Sequence, residues 1–89
     1  MNPEHVAWCR RTFDMVKDGG IWAMPRSGLV FQKTGPAQFT LINQMPWMAG
    51  MPINAEELAI QQEIDFDLTV RHFAAAGIEV IKKDTHHAS

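Results

Sequence analysis

Three short apolar runs, separated by turn-forming residues, occupy the middle of the chain between residues 19 and 42. The runs lie at residues 21–24, 29–33 and 38–42, and the turns between them at residues 25–28 and 34–37. Short runs bounded by proline and glycine are typical of strands. Loops of about four residues join antiparallel strands, because a parallel pair needs a crossover of a dozen or more. The pattern therefore predicts a three-stranded antiparallel meander.

Alternation of side chains assigns the two faces of this sheet. One face is strongly apolar and the other is mixed, as in an antiparallel sheet that helices cover on one side. The apolar face contains Leu29, Phe31, Phe39 and Leu41. The first run breaks the rule, because both of its faces are apolar: Trp22 and Met24 on one, Ile21 and Ala23 on the other. We expect this run either to lie under other structure on both sides or to meet a partner.

Two helices flank the predicted meander. The first starts at the N-cap Asn2 and runs to about residue 18, where two glycines follow. The second starts at the N-cap Asn54 and runs to residue 76, where Gly77 can adopt the left-handed cap conformation. Residues 78–82 have the pattern of a fourth strand at an edge that the sequence does not specify.

The order α-β-β-β-α-β predicts one small α+β domain over residues 1–89, with a frayed tail at residues 84–89. Both helices are expected to pack on the apolar face of the sheet. The expected core residues are Phe13, Val16, Phe31, Phe39, Leu41, Ile64, Leu68 and Phe73.

The second predicted helix carries two apolar stripes. The first stripe is Ala59, Phe66, Val70 and Phe73, and the second is Ile60, Ile64, Leu68 and Ala75. A helix that covers one sheet needs only one stripe. The other stripe must therefore contact the first helix of the same chain or the same helix of a second chain.

Charged residues at i,i+4 spacing lie between the two stripes. Glu63, Asp67 and Arg71 form a solvated, ion-paired ridge, part of a polar site, or the ion-paired seam of a dimer. Antiparallel pairing would place Arg71 of one copy near the acidic residues of the other. We therefore predict a homodimer whose interface contains Ile60, Glu63, Ile64, Asp67, Leu68 and Arg71.

Surplus apolar residues outside the predicted core indicate a surface for a protein partner. Trp8 and Met15 widen the apolar arc of the first helix, and Trp8 either packs over the sheet edge or stays exposed. Residues 43–53 form an apolar loop that either folds back on the core or contacts a partner or ligand. Arg26, at the tip of the first hairpin, is a solvated turn residue or an anchor for an acidic group. The predicted partner-binding residues are Trp8, Met15, Trp22, Met24, Arg26, Trp47, Met48 and Met51.

Composition narrows the classes of protein. The net charge is −2 and the pI about 6.0, which gives no basic footprint for nucleic acid or an anionic membrane. A single cysteine excludes an intramolecular disulfide and is typical of a reducing compartment. No apolar run approaches the roughly 18 residues of a membrane span, and the N-terminus lacks a signal-peptide pattern. We expect a cytoplasmic protein that does not enter a membrane.

The sequence contains no recognisable catalytic or metal-binding motif. A glycine-rich phosphate loop, a CxxC pair, HExxH and GxSxG are all absent, and the four histidines are scattered. We therefore predict no catalytic residues, no metal and no cofactor, and a protein-binding module rather than an enzyme. One alternative is a nucleic-acid-binding protein that stacks bases on Trp22, Phe31 and Phe39. The other is a small enzyme or ligand-binding domain that uses the apolar loop with its tryptophan and methionines.

The run GGIWAMPRSGLVFQKTG, followed later by AAAGIEV, resembles small uncharacterised proteins encoded in bacteriophage and prophage genomes. The resemblance covers the middle third of the chain and its C-terminal quarter. It implies a small accessory protein in the cytoplasm of a bacterial host, acting by binding a host protein. It assigns no functional residues.

Overall fold

The computed structural model describes residues 2–25, 27–44 and 54–83. The elements in these ranges are α1 (Pro3–Met15), β1 (Ile21–Met24), β2 (Leu29–Gly35), β3 (Gln38–Gln44), α2 (Ala55–Ala75) and β4 (Glu79–Lys82). The predicted α+β order is confirmed. No helix in these ranges combines the length and the apolar character that crossing a membrane requires.

The four strands form one sheet in the order β1-β2-β3-β4. The first three pair antiparallel, which confirms the predicted meander. The fourth strand lies beside β3 and runs parallel to it. Parallel neighbours need a long crossover, and α2 supplies it.

Glycine makes the first hairpin turn possible. Gly28 has a φ of +75°, and its N–H donates to the carbonyl of Met24 at 2.8 Å. A side chain at this φ would be strained. Gly77 likewise has a φ of +80° and ends α2, as the sequence predicts.

The core lies between the sheet and both helices. Its fully or nearly buried residues are Cys9, Phe13, Leu29, Phe31, Phe39, Leu41, Phe73, Ile78 and Val80. Phe39 lies at the centre, with ring centroids 4.9 Å from Phe13 of α1 and 5.5 Å from Phe73 of α2. Both helices therefore pack on the predicted apolar face.

The opposite face of the sheet is mixed, as predicted. A polar cluster lies between β2 and β3, where the hydroxyl oxygens of Thr34 and Thr40 are 2.7 Å apart. Gln38 Nε2 donates to Thr34 Oγ1 at 2.8 Å. Ile21 on β1 is about half exposed, with 53% of its surface accessible. The first strand is thus covered on the helix side only, by the described part of the chain.

The first helix ends at Met15, earlier than the predicted residue 18. Val16 is already extended, with φ −85° and ψ +131°. The chain leaves the helix because it joins β2: Gly19 N donates to Lys33 O, and Lys33 N donates to Gly20 O, both at 2.9 Å. Pairing with the sheet replaces the last helical turn.

Lys33 fixes the end of α1. Its Nζ donates to the carbonyls of Phe13 at 3.1 Å and Val16 at 2.8 Å, and lies 4.2 Å from the centroid of the Phe13 ring. The Phe13 carbonyl also accepts from Val16 N at 3.1 Å, and Val16 directly follows the helix, where carbonyls lack helical partners. The half-buried ammonium therefore caps the helix from the neighbouring strand.

Replacing Lys33 with methionine is expected to lower the free energy of unfolding by about 1.5–3 kcal/mol, because charge-assisted hydrogen bonds to α1 are lost. Urea unfolding followed by circular dichroism measures it. Lys82→Met is the matched control: Lys82 is exposed and its Nζ lies 5.0 Å from the centroid of the Phe66 ring. Equal losses in the two variants would contradict the capping role.

The prediction of the core is wrong for two residues. Ile64 and Leu68 are 48% and 42% exposed, and Val16 is half-buried against the core. The buried residues of α2 are Leu58, Gln62, Thr69 and Phe73, whereas Ala59 is exposed. The helix is therefore rotated relative to the predicted packing.

Hydrogen bonds explain why polar residues face inward on α2. Gln62 Nε2 donates to the carbonyl of Ser27 at 2.8 Å, and Thr69 Oγ1 donates to the carbonyl of Asp65 at 2.7 Å. Burying a polar group is tolerated when it has a partner. The inward polar residues leave the apolar side chains of Ile60, Ile64 and Leu68 on the outside.

Candidate functional site

An apolar stripe runs along the outer side of α2. It consists of Ile60, Ile64 and Leu68, one helical turn apart, with exposed fractions of 54%, 48% and 42%. We call these three residues the α2 stripe. Because it is exposed, the alternative in which the first helix covers it is wrong.

Charged residues accompany the α2 stripe. Glu63, Asp67 and Arg71 are all exposed on the same side of the helix. No ion pair joins them within the described ranges, where Arg10–Asp14 at 3.9 Å is the salt bridge that is seen. The arrangement is therefore not an ion-paired ridge within one chain, and these charges are free to meet a partner.

An aromatic cluster continues the stripe towards α1. His72 follows Leu68 by one turn, and its ring centroid lies 4.3 Å from that of His5. His5 stacks on Trp8 with centroids 5.7 Å apart. We call His5, Trp8 and His72 the His–Trp cluster.

Trp8 packs over the edge of the sheet and also stays partly exposed, which are the two alternatives that the sequence left open. Its ring lies 6.4 Å from those of Trp22 and Phe73, so it packs over the sheet at β1. It nevertheless keeps 43% of its surface exposed. Met15 lies two turns further along α1 and is 83% exposed. These two residues form an exposed apolar edge on α1.

Trp22 and Met24 belong to the rim of the core. Trp22 stacks on Phe31 and Phe39, with centroids 5.6 Å and 5.4 Å away. Met24 is half-buried, and its sulfur lies 3.5 Å from Thr69 Oγ1. The other predicted partner-binding residues are outside the described residues: Arg26, Trp47, Met48 and Met51. The prediction that the apolar loop either folds back or contacts a partner therefore stays a prediction.

Two features of the structure were missed by the sequence analysis. One is the buried contact between Gln62 and the Ser27 carbonyl, beside which Ser27 Oγ is buried without a partner among the described residues. The other is the meeting of His5 and His72, which the sequence shows only as scattered histidines. Both join residues far apart in the chain, so no local pattern signals them.

Two side chains in this region have shifted pKa values. Burial, followed by the positive charges of His5 and Arg71, lowers the pKa of His72. Burial raises the pKa of the Cys9 thiol, which is fully covered by the core. A protonated, inaccessible thiol is a small hydrophobe rather than a nucleophile.

The aromatic face of the sheet is not open to bases. Phe31 and Phe39 have no exposed surface, because the helices cover them. The base-stacking hypothesis therefore has no platform at these positions. Within the described residues, no three histidine, cysteine or carboxylate side chains cluster as they would around a metal ion.

No protein-family model, curated protein or solved structure matches the chain. The candidate site is therefore defined by its residues and their geometry alone.

Proposed function

We propose that this protein is a small protein-binding module that pairs with a second copy of itself through the α2 stripe. The observation that carries the proposal is the exposure of Ile60, Ile64 and Leu68, of which 54%, 48% and 42% is accessible. Contiguous exposed apolar side chains with a polar margin are typical of interaction surfaces.

Charge complementarity favours a second copy as the occupant. A twofold axis near the middle of α2 makes the interface self-complementary, with the same residues on both sides. Antiparallel helices then place Arg71 of each chain near Glu63 or Asp67 of the other. Two equivalent sets of opposite charges flank one apolar seam.

Sedimentation equilibrium over a range of micromolar concentrations tests the pairing. We expect a mass that rises with concentration towards twice the 10.1 kDa of one chain. A mass of one chain at all concentrations would contradict the dimer. The stripe would then be a surface for a different protein.

Charge reversal tests the orientation of the pair. Arg71→Glu is expected to weaken dimerisation by roughly fivefold to thirtyfold, because both symmetric sets of charges become repulsive. The double variant Glu63→Arg/Arg71→Glu is expected to recover most of the affinity. Lys17→Glu is the control, since Lys17 is exposed beyond the end of α1. A double variant no tighter than Arg71→Glu would contradict the antiparallel arrangement.

We further propose a host protein as a partner at the exposed edge of α1, formed by Trp8 and Met15. Their exposed fractions of 43% and 83% support this surface. The resemblance to phage-encoded proteins supports a bacterial cytoplasmic partner. Arg26 and the loop residues Trp47, Met48 and Met51 stay predicted partner contacts, outside the described residues.

Affinity capture from a bacterial lysate tests the host partner. We expect one stoichiometric protein with the unmodified chain and its loss with Met15→Asp, which changes an exposed side chain. Recovery that is unaffected by Met15→Asp would move the site away from α1. A salt-sensitive thermal shift with DNA or RNA, without a protein partner, would favour nucleic-acid binding instead.

A further inference from the structure

Two histidines that are far apart in the sequence meet where α1 packs against α2. The ring centroids of His5 and His72 lie 4.3 Å apart with planes inclined at 72°, and both side chains are half-buried. His5 also stacks on Trp8, which in turn packs against Trp22 and Phe73. The histidine pair is therefore part of the contact that holds α1 on α2.

The contact between the two rings offers little to stabilise a positive charge. Nε2 of His5 is buried and has no hydrogen-bond partner among the described residues. Both rings are half-buried, so a charge on His72 would be partly withdrawn from water, which costs free energy.

The charged groups around the pair do not compensate the positive charge of a protonated His72. Burial, the His5 ring on α1 and Arg71 on α2 all lower the pKa of His72. On α1, the adjacent carboxylate Glu4 is exposed, and on α2 so is Asp67. The strand β1, which the cluster meets through Trp8, contains no charged residue.

We infer that the contact between His5 and His72 is an acid-sensitive latch that loosens α1 from α2 when His72 is protonated. Protonating His72 places a positive charge at a half-buried contact, with the centroid of the His5 ring 4.3 Å away. Loosening α1 withdraws Trp8 from Trp22 and Phe73 and uncovers that edge of the core. This inference goes beyond the proposed dimer and does not require it.

The direction of the pH dependence follows from linkage. A histidine whose pKa is lowered by folding binds protons more readily in the unfolded chain. Its contribution is therefore fully present above the ordinary histidine pKa of about 6.5 and is lost as the pH falls below it. The latch is closed at neutral pH and weakens on acidification.

Urea unfolding at about pH 7.5 and about pH 5.5 tests the latch. We expect the folding equilibrium constant of the unmodified chain to fall roughly threefold to tenfold between them. The variant His5→Gln/His72→Gln should lose most of this dependence. The matched control His86→Gln/His87→Gln removes the other two histidines and should keep it. Equal pH dependence in the two double variants would overturn the latch.

A titration of the unmodified chain keeps the test valid if His5→Gln/His72→Gln fails to fold. The ring signal of His72 in proton NMR, assigned with His72→Gln, should titrate below the ordinary histidine pKa of about 6.5. A midpoint at or above about 6.5 would overturn the latch. Light scattering at both pH values, at a concentration where the mass is constant, separates this result from failure of the dimer.

Discussion

Replacing Phe39 with alanine is expected to lower the free energy of unfolding by about 3–5 kcal/mol. Phe39 has no exposed surface and its ring lies within 5.5 Å of those of Phe13, Trp22 and Phe73. Truncation removes a side chain that contacts both helices and the first strand. The cavity cannot close without moving all three elements.

The loss is large against the total stability of so small a domain, which is on the order of 4–13 kcal/mol for a chain of this length. Urea unfolding monitored by tryptophan fluorescence gives the difference. Met15→Ala is the control, because Met15 is 83% exposed and should change stability by about 0.5 kcal/mol or less. A loss below about 1 kcal/mol for Phe39→Ala would contradict the central position of this ring.

The sheet could be predicted because the residues that determine its strands and turns are close together in the sequence. Each turn carries residues that suit it, and Gly28 has the positive φ that the turn requires. The alternation of Leu29, Phe31, Phe39 and Leu41 assigns the covered face correctly. The parallel pairing of the last strand follows from α2 as a crossover, but which edge it joins depends on contacts that no short window contains.

The orientation of α2 could not be predicted, because it depends on partners from other elements. Apolar periodicity favoured Ile64 and Leu68 as core residues, whereas Gln62 faces inward and donates to the carbonyl of Ser27. A buried glutamine is tolerated only where a hydrogen-bond acceptor lies within reach of its side chain. That acceptor lies in the first hairpin, far away in sequence.

The candidate site could be predicted only where it depends on a single helix. The stripe and its charges are visible in the periodicity of one helix, and all of these residues are exposed in the structure. Whether the stripe is covered depends on where α1 packs. The His–Trp cluster needs the fold itself, since His5 and His72 come from different helices.

Replacing Ile64 with glutamate is expected to weaken the proposed dimer by about a hundredfold or more. Ile64 is the middle residue of the α2 stripe and is 48% exposed in the single chain. Twofold symmetry places two copies of the substitution in one interface, so two carboxylates would be buried without partners. Truncating a central anchor costs at least about 2 kcal/mol in many interfaces, and an unpaired charge costs more.

The fold should be unaffected, which separates this variant from a core substitution. Glutamate is a good helix former, and the position faces away from the sheet. We expect a sedimentation mass of one chain at concentrations where the unmodified protein pairs, with an unchanged circular dichroism spectrum. Ala55→Glu is the matched control, because Ala55 is exposed at the start of α2, on the side of the helix away from the stripe, and should leave pairing intact. If Ile64→Glu pairs as tightly as the unmodified chain, α2 is not the interface, and the surplus apolar surface of α1 becomes the place to look for it.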